Sequence, residues 1–378
     1  MLNPNEYRIN LNDRNFDLVK VLTKVAKKVS WQYDLKGGCG QCTIDLAMDP
    51  DDMEEIISAD YDVQIFMEDA FSGTNLVYRG YVETEKPVEG ETKSVQLQVF
   101  GYSGQLRRVR VAKTYEGMEI STIIKDILDT YVLSDTGIIY DDADIETTSF
   151  SVDKVVFDCM ADAAIKTLAG LDGRMEWGVD RDRKFFFKVR SSEIRHILRY
   201  KIDVDRDDTI NDYGSIINRL YIKGGKNEDG VQFEDTINNS ESQALYRLRS
   251  RIESNSAILT SSVSQRYGAM ILAAEAQIQR RGTIKLTKSK RFFEETVPVG
   301  RTCLVGEAIP SVKFYGDDDA IYGSFKYGGL ASYEIGKIMY EVGDEGMSVN
   351  INVGQARPDV AEYIKRLEFE ISQIRNVT

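Results

Sequence analysis

Over roughly the first hundred residues, apolar and polar positions alternate with period two, the signature of half-buried β-strands. Trp31, Tyr33 and Leu35 form one alternating run and Cys42, Ile44 and Leu46 another of opposite parity. The switch falls across Gly37, Gly38 and Gly40, so a turn or bulge is expected there. Val63 to Met67, Leu76 to Val82 after a Ser72-Gly73 turn, and Ser94 to Phe100 supply further strands, the last with Val95, Leu97 and Val99 on one face. The segment up to about Arg110 therefore reads as a compact antiparallel β domain.

The period then changes. Ile120, Ile123, Ile124, Ile127, Leu128 and Tyr131 recur at helical spacing and predict an amphipathic helix capped near Ser121. A second helix is expected over Val156 to Ala169, ended by Gly170, followed by a hairpin of Arg174 to Val179 and Arg183 to Val189 around Asp180 to Asp182. Together these make a small α/β module. Strand signals return at Ile216 to Lys223 and end at Gly224-Gly225; helices are then expected over about 241–254 and 263–281, the second striped by Tyr267, Ile271, Ala274 and Ile278. A last β region spans Thr283 to Val353, and a terminal helix after Pro358 carries Val360, Tyr363, Ile364, Leu367, Ile371 and Ile374.

The two β regions resemble each other. Tyr78 to Val82, a charged turn and Ser94 to Gly101 correspond to Tyr333 to Met339, Val342 to Glu345 and Ser348 to Gly354. In each, an alternating strand (Val95, Leu97, Val99; Val349, Ile351, Val353) ends near a glycine. Two β-meanders of unrelated origin would also look alike at this level.

Composition narrows the function classes. With 378 residues, 42% of them hydrophobic, the chain can bury cores for two or three domains. No apolar run reaches the roughly 18 residues of a membrane span, and Met1 to Phe16 lacks the apolar centre of a secretory leader, so neither is expected. A formal net charge of −13 argues against adhesion to phosphate backbones or anionic lipids. Four cysteines are too few for a disulfide framework, and Cys159 and Cys303 read as small buried hydrophobes.

Candidate chemistry is sparse. Cys39 and Cys42 have the spacing of a redox pair or half a zinc site, but no second such pair accompanies them; the expectation is a structural turn, with metal binding left open. Asp203, Asp205, Asp207 and Asp208 alternate like the start of a calcium loop without its sixth-position glycine or twelfth-position glutamate, and read as a solvated acidic loop. Asp317, Asp318 and Asp319 read as an exposed turn. His196, the one histidine, would have to carry any Ser-His-Asp or Cys-His chemistry, and reads as structural. No nucleophile, phosphate-loop or zinc-protease motif stands in the required context. Carboxylate pairs are uninformative among 61 acids. The expectation is therefore no catalytic, cofactor-binding or metal-binding residue, and no enzyme.

Trp31 to Leu46 (WQYDLKGGCGQCTIDL), Asn218 to Gly225 (NRLYIKGG), Pro298 to Arg301 (PVGR) and Ser348 to Arg366 (SVNINVGQARPDVAEYIKR), in this order, resemble the hub proteins at the distal end of phage tails. These include the tail-associated proteins of long non-contractile tails and the central hubs of contractile baseplates. The resemblance implies an α+β, β-rich fold: a tube-like β-barrel domain over 1–113, an inserted α/β peripheral domain over 114–192, a second tube-like barrel over 193–356 that includes the helices near 241–281, and a C-terminal helix over 357–378. It further implies a homotrimer in the virion, joining a sixfold ring of distal tail or tail tube protein and a tape measure protein to fibre, spike or receptor-binding components. DNA would pass without specific binding. Two alternatives stay open: a tail-associated peptidase or cell-wall hydrolase, for which the end at Thr378 leaves no room, and the spike-hub of a phage-derived injection or secretion machine.

Overall fold

The computed structural model describes residues 7–54, 56–69, 73–88, 94–133, 136–147, 151–171, 175–189, 194–200, 203–226, 230–254, 258, 261–287, 302–307, 331–343 and 346–354. The fold is α+β and β-rich. Its chain divides into two compact units, one of 1–207 with 283–352 and one of 208–282 with 353–378.

In the first unit, β1 (Tyr7–Asn12), β2 (Leu18–Val21), β3 (Ala26–Asp34), β4 (Lys36–Leu46), a short helix α1 (Pro50–Glu54), β5 (Asp62–Asp69), β6 (Gly73–Val88) and β7 (Ser94–Phe100) follow one another. They pair in the order β3-β4-β7-β6-β5-β1-β2, antiparallel throughout. The alternation does what the sequence pattern requires: Ile9, Leu11, Ile44, Leu46, Val95, Leu97 and Val99 are fully buried on one face. Such side chains contribute about 1.5 to 3 kcal/mol each on burial. The parity switch is a β-bulge. Trp31 pairs with Cys42 and Tyr33 with Cys39, so Gln32 faces two residues, Gly40 and Gln41.

The inserted segment contains β8 (Arg110–Glu119), α2 (Ile120–Ile127), β9 (Ser151–Met160), α3 (Ala161–Leu171), β10 (Met175–Val179) and β11 (Phe185–Val189). β8 pairs with β9 and β10 with β11, both antiparallel. Two helix expectations shift. The first helix is N-capped at Glu119 rather than near Ser121 and continues into a π-turn over Leu128–Val132. The second begins at Ala161, not Val156, and runs through Gly170 to Leu171. Residues 155–160 belong to β9 because Val155 and Phe157 are buried while Val156 and Met160 are exposed, a period of two that β-branched residues favour.

The remaining elements are β12 (Ile194–Tyr200), β13 (Val204–Asp207), β14 (Ile210–Asp212), β15 (Arg219–Lys226), β16 (Gln232–Asn238), α4 (Ser240–Tyr246), β17 (Ser250–Ser254), α5 (Ser261–Glu275), β18 (Gln279–Thr287), β19 (Thr302–Glu307), β20 (Ala331–Gly343) and β21 (Gly346–Val353). Within the first unit the pairings β20-β19-β12-β13-β18-β21 return to β20 and close a ring.

These strands repeat the opening ones. β1·β5, β3·β4, β4·β7, β5·β6 and β6·β7 correspond in order to β12·β19, β13·β18, β18·β21, β19·β20 and β20·β21. Even a bulge recurs. Ala26↔Leu46 is followed by Lys28↔Asp45, and Val204↔Leu286 by Arg206↔Lys285, with all four apolar residues buried. One difference is that β12 runs parallel to β19 where β1 is antiparallel to β5. The repeats are stitched by β20, which pairs with β3 from Lys337↔Asp34 to Val342↔Val29. Across that seam the Trp31 and Tyr340 rings stack at 5.1 Å.

The second unit holds a three-stranded sheet, β16-β15-β17, with α5 packed on it over Leu220, Ile222, Ile237, Tyr267 and Leu272. The helix expected over about 241–254 stops at Tyr246, because Arg247 takes φ = 61° and the chain reverses. Asn218 captures the reversal: its Nδ2 donates to the Arg247 carbonyl at 2.7 Å, and its Oδ1 accepts the Arg249 N–H at 2.8 Å. Residues from Ser250 then pair in parallel with β15. Helix α5 spans Ser261–Glu275 against the expected 263–281, since Gln279 already belongs to β18. The expected terminal helix over 357–378 and the PVGR phrase lie outside the described residues.

Gly38 and Gly178 carry the join between β4 and β10, which run parallel through Gly178↔Gly37 and Val179↔Gly38. A Cβ on either would collide with the opposing backbone, and Gly38 has φ = 72°. Gly38→Ala is expected to cost about 2 kcal/mol or more in urea unfolding. Gly117→Ala, at φ = 62° with nothing within 4 Å, is expected to cost only about 1 kcal/mol from its left-handed backbone.

Candidate functional site

The polar centre of the first unit is Asp62 at the head of β5, whose carboxylate is fully buried. Arg79 Nε on β6 donates to its Oδ1 at 2.7 Å, and the Tyr102 hydroxyl donates to the same oxygen at 2.8 Å. Asn12 Nδ2 on β1 and Gln64 Nε2 donate to Oδ2 at 2.8 and 3.1 Å. A buried carboxylate is tolerable when paired and hydrogen-bonded in this way. The Asp62 charge and hydrogen bond also push the Tyr102 hydroxyl above its usual range, behind burial itself.

A second layer clasps the inserted segment to this centre. Asp13 Oδ1 accepts the N–H groups of Asn15 and Asp17, a closure that leaves Phe16 at φ = 68° at the tip of the β1–β2 hairpin. The Phe16 ring lies 3.8 Å from the Arg183 guanidinium carbon and 5.0 Å from that of Arg79. Arg183 Nη1 donates to the Gly137 carbonyl at 3.1 Å. Burial, then the neighbouring Arg79 charge, pull the Arg183 guanidinium below its usual range.

Of the residues singled out in the sequence, Cys39, Cys42, Cys159 and the Asp203–Asp208 run are described and make none of the contacts of the Asp62 centre. The bulge turns both Cys39 and Cys42 inward, where they are free thiols. Burial pushes both well above the usual thiol range, which keeps them protonated at neutral pH. Cys159 is half-buried rather than buried. Asp203 to Asp208 is not a loop, since β13 runs through it with Val204 buried and Asp205 exposed. His196 sits on β12 opposite Cys303, and the side chains of both lie outside the described residues, as does Asp317 to Asp319. Among the described residues no group of three or more His, Cys, Asp or Glu could hold a metal ion, and no helix is long and apolar enough to cross a membrane.

No family model matches the chain, and no curated protein does either. Solved structures do. The 43 kDa tail protein of prophage MuSo2 from Shewanella oneidensis aligns with a TM-score of 0.64 at 14% identity, over 94% of this chain and 98% of that one. The chain has the fold of a phage tail protein. A tail protein from Neisseria meningitidis MC58 gives 0.61 at 10% identity over 93% and 97%, and prophage tail protein gp18 from Listeria monocytogenes EGD-e gives 0.55 at 13% over 96% and 98%.

On this tail-protein fold the described residues include exposed strand edges. β2 ends the strand order with Leu18, Val19 and Val21 all exposed. Val88 at the end of β6 and Ile210 on β14 are exposed too, 41% and 55%. An edge strand presents unpaired backbone N–H and C=O groups, a template on which another strand can pair. The sequence pattern missed Asp62 and Phe16, because one acid among 61 has no local signature and a left-handed phenylalanine is visible only in the backbone.

Electrostatic stress accumulates beside the glycine join. Asp180 Oδ1 closes the β10–β11 turn by accepting the Asp182 and Lys184 N–H groups at 2.8 and 2.9 Å. Burial, opposed by those two hydrogen bonds and reinforced by the charges of Asp182 and Asp144, raises the carboxyl to about 6. With the folded value above the unfolded one, this group favours folding most at low pH, and the advantage is lost as pH rises through about 6. Asp180→Asn keeps the accepting oxygen. It is expected to raise the melting temperature at pH 7.5, by up to about 2 kcal/mol of stability, and to flatten the wild-type decline between pH 5 and 7. Asp62→Ala, which strands the Arg79 guanidinium, is expected to cost about 3 to 5 kcal/mol.

Proposed function

We propose that the protein is the structural hub of a phage tail tip or baseplate, acting as a homotrimer at the distal end of the virion's tail. The observation that carries this reading is the doubled strand pattern: one chain supplies two copies of the same strand succession, already stitched side by side through β20 and β3. Three such chains present six equivalent elements, which match a sixfold tube on one side while offering threefold symmetry on the other. The likeness to tail proteins over almost the whole chain supports the same role.

In this reading the two repeats are the tube-like domains, bounded near 1–113 and 193–356, and the segment of 114–192 is peripheral. The partners are a ring of distal tail or tube protein, the tape measure protein, and the fibre, spike or receptor-binding components below. The mechanism is assembly and gating rather than turnover, with no cofactor. Cys39 and Cys42 serve as core fillers.

DNA crosses the lumen without being held. Three chains at −13 carry −39, and an acidic lumen repels a duplex that bears about one charge per 1.7 Å, whereas each lumenal lysine or arginine would add a contact to break.

Light scattering on the purified protein is expected to give the mass of three 42.8 kDa chains. A stable dimer would count against the hub. Duplex DNA is expected to pass a filter unretained by the trimer at low salt; retention that falls steeply with added salt would reverse the acidic-lumen argument. No hydrolysis of peptidoglycan or casein is expected, and activity abolished by a single carboxylate substitution would overturn the non-enzymatic reading.

A further inference from the structure

β2 is a strand that core burial does not account for. It pairs with β1 through Asn10↔Val21, Leu11↔Lys20 and Asn12↔Leu18 and ends the strand order, so among the described residues no strand covers its outer edge. Leu18, Val19 and Val21 are 52%, 44% and 41% exposed, and Lys20 between them is only partly buried. Successive side chains of a strand point to opposite faces, so both faces of β2 are open and it adds no buried side chain to the core. The strand is nonetheless held at both ends. Beyond it Leu22 is fully buried and its N–H donates to the Ile9 carbonyl at 2.8 Å, while the Ile9 N–H donates to Thr23 Oγ1 at 2.8 Å. Before it Asp13 closes the turn, and the Phe16 ring lies 3.8 Å from the Arg183 guanidinium carbon. A strand fixed in this way loses little further entropy when something binds along it.

Charge marks the same edge. In a chain of net charge −13, Lys20, Lys24 and Lys27 follow one another closely, and among the described residues none of the three has an ion pair or hydrogen bond, whereas the adjoining Lys28 is paired with Glu341 at 3.0 Å. Lys20 stands on the edge strand itself, and Val19 is a bulge that opposes no residue of β1. A lysine and a bulge deter pairing between like edges. The same charge admits a strand that carries carboxylates, because opposite charges across a strand pair are favourable and like charges are not.

We propose that β2 is a docking edge for an extended, acidic segment of a partner protein, which adds beside it as a further strand with carboxylates facing Lys20 and the adjoining Lys24 and aliphatic side chains beside Val19 and Val21. The free N–H and C=O groups along β2 favour a peptide over a lipid surface, whose hydrocarbon offers them no partner. The net charge of the chain opposes a polynucleotide. The edge belongs to a single chain, so it stands or falls separately from the trimer.

The test uses the full-length protein and a fluorescein-labelled, end-capped peptide of alternating valine and glutamate, followed by fluorescence anisotropy. This peptide is expected to bind about tenfold tighter than a valine–lysine peptide of the same length, as roughly two reversed cross-strand charge pairs require. It is also expected to outbind a version with proline in place of its central valines, which cannot donate the ladder hydrogen bonds. Binding is expected to slow amide hydrogen exchange over Val19 to Val21. The double variant Lys20→Glu with Lys24→Glu is expected to weaken the glutamate peptide about tenfold and, since neither ammonium has a partner to lose, to keep the wild-type melting temperature. No binding of the glutamate peptide, equal binding of its proline version, or unchanged exchange in β2 would each overturn the docking edge. So would capture of the protein by phosphatidylglycerol vesicles in place of the peptide.

Discussion

The first unit is organised around a single buried charge. Asp62 gathers donors from β1, β5, β6 and the turn after β7, so four segments distant in sequence are oriented by one carboxylate. Its guanidinium partner, Arg79, also lies 5.0 Å from the Phe16 ring, which Arg183 of the inserted segment approaches to 3.8 Å. Hydrophobic burial supplies most of the driving force, but it does not choose among registers. A carboxylate that must be satisfied from fixed directions does, because a one-residue slip would leave it desolvated and unpaired.

The rest of the architecture follows from repeating one motif. Each repeat alternates apolar residues along its last strand, Val95, Leu97 and Val99 in one and Val349, Ile351 and Val353 in the other, all buried. What individualises the copies is what has been added. The first repeat gains β2 and is followed by the clasped α/β segment, which reaches back to the β3–β4 bulge through Gly38 and Gly178. The repeats are stitched through the stacked rings of Trp31 and Tyr340, worth about 0.5 to 1.5 kcal/mol beyond their area.

Much of this was legible in the sequence because the information is local. Period-two runs around Ile44 and Leu97 and period-3.6 runs around Ile123 and Ile165 each record which face is buried. The duplication was visible for β6–β7 and β20–β21, where apolar alternation survives in both copies. It was invisible for β3 and β13, where Trp31 and Tyr33 have no counterpart of similar chemistry and only the bulge and the buried Ala26 and Val204 persist. Boundaries failed where a strand and a helix abut without a breaker, as at Met160-Ala161, or where a left-handed residue such as Arg247 ends a helix that its neighbours would continue. Apart from Gln64, the partners through which Asp62 and Phe16 act are more than fifteen residues away in the chain, which no window on the sequence can register.

The interruption between β14 and β18 has a consequence for how such proteins diversify. In the first repeat β3 turns directly into β4 at Leu35; in the second, the same hairpin opens between Asp212 and Gln279, which remain paired, and everything from Tyr213 to Ile278 hangs from that pair. Because the two ends are held side by side, lengthening, trimming or exchanging what they carry changes closure entropy by only about 0.6 kcal/mol for each doubling of length. The hairpin is thus a socket: what it carries can be replaced wholesale by recombination while the strands of the two repeats are inherited intact.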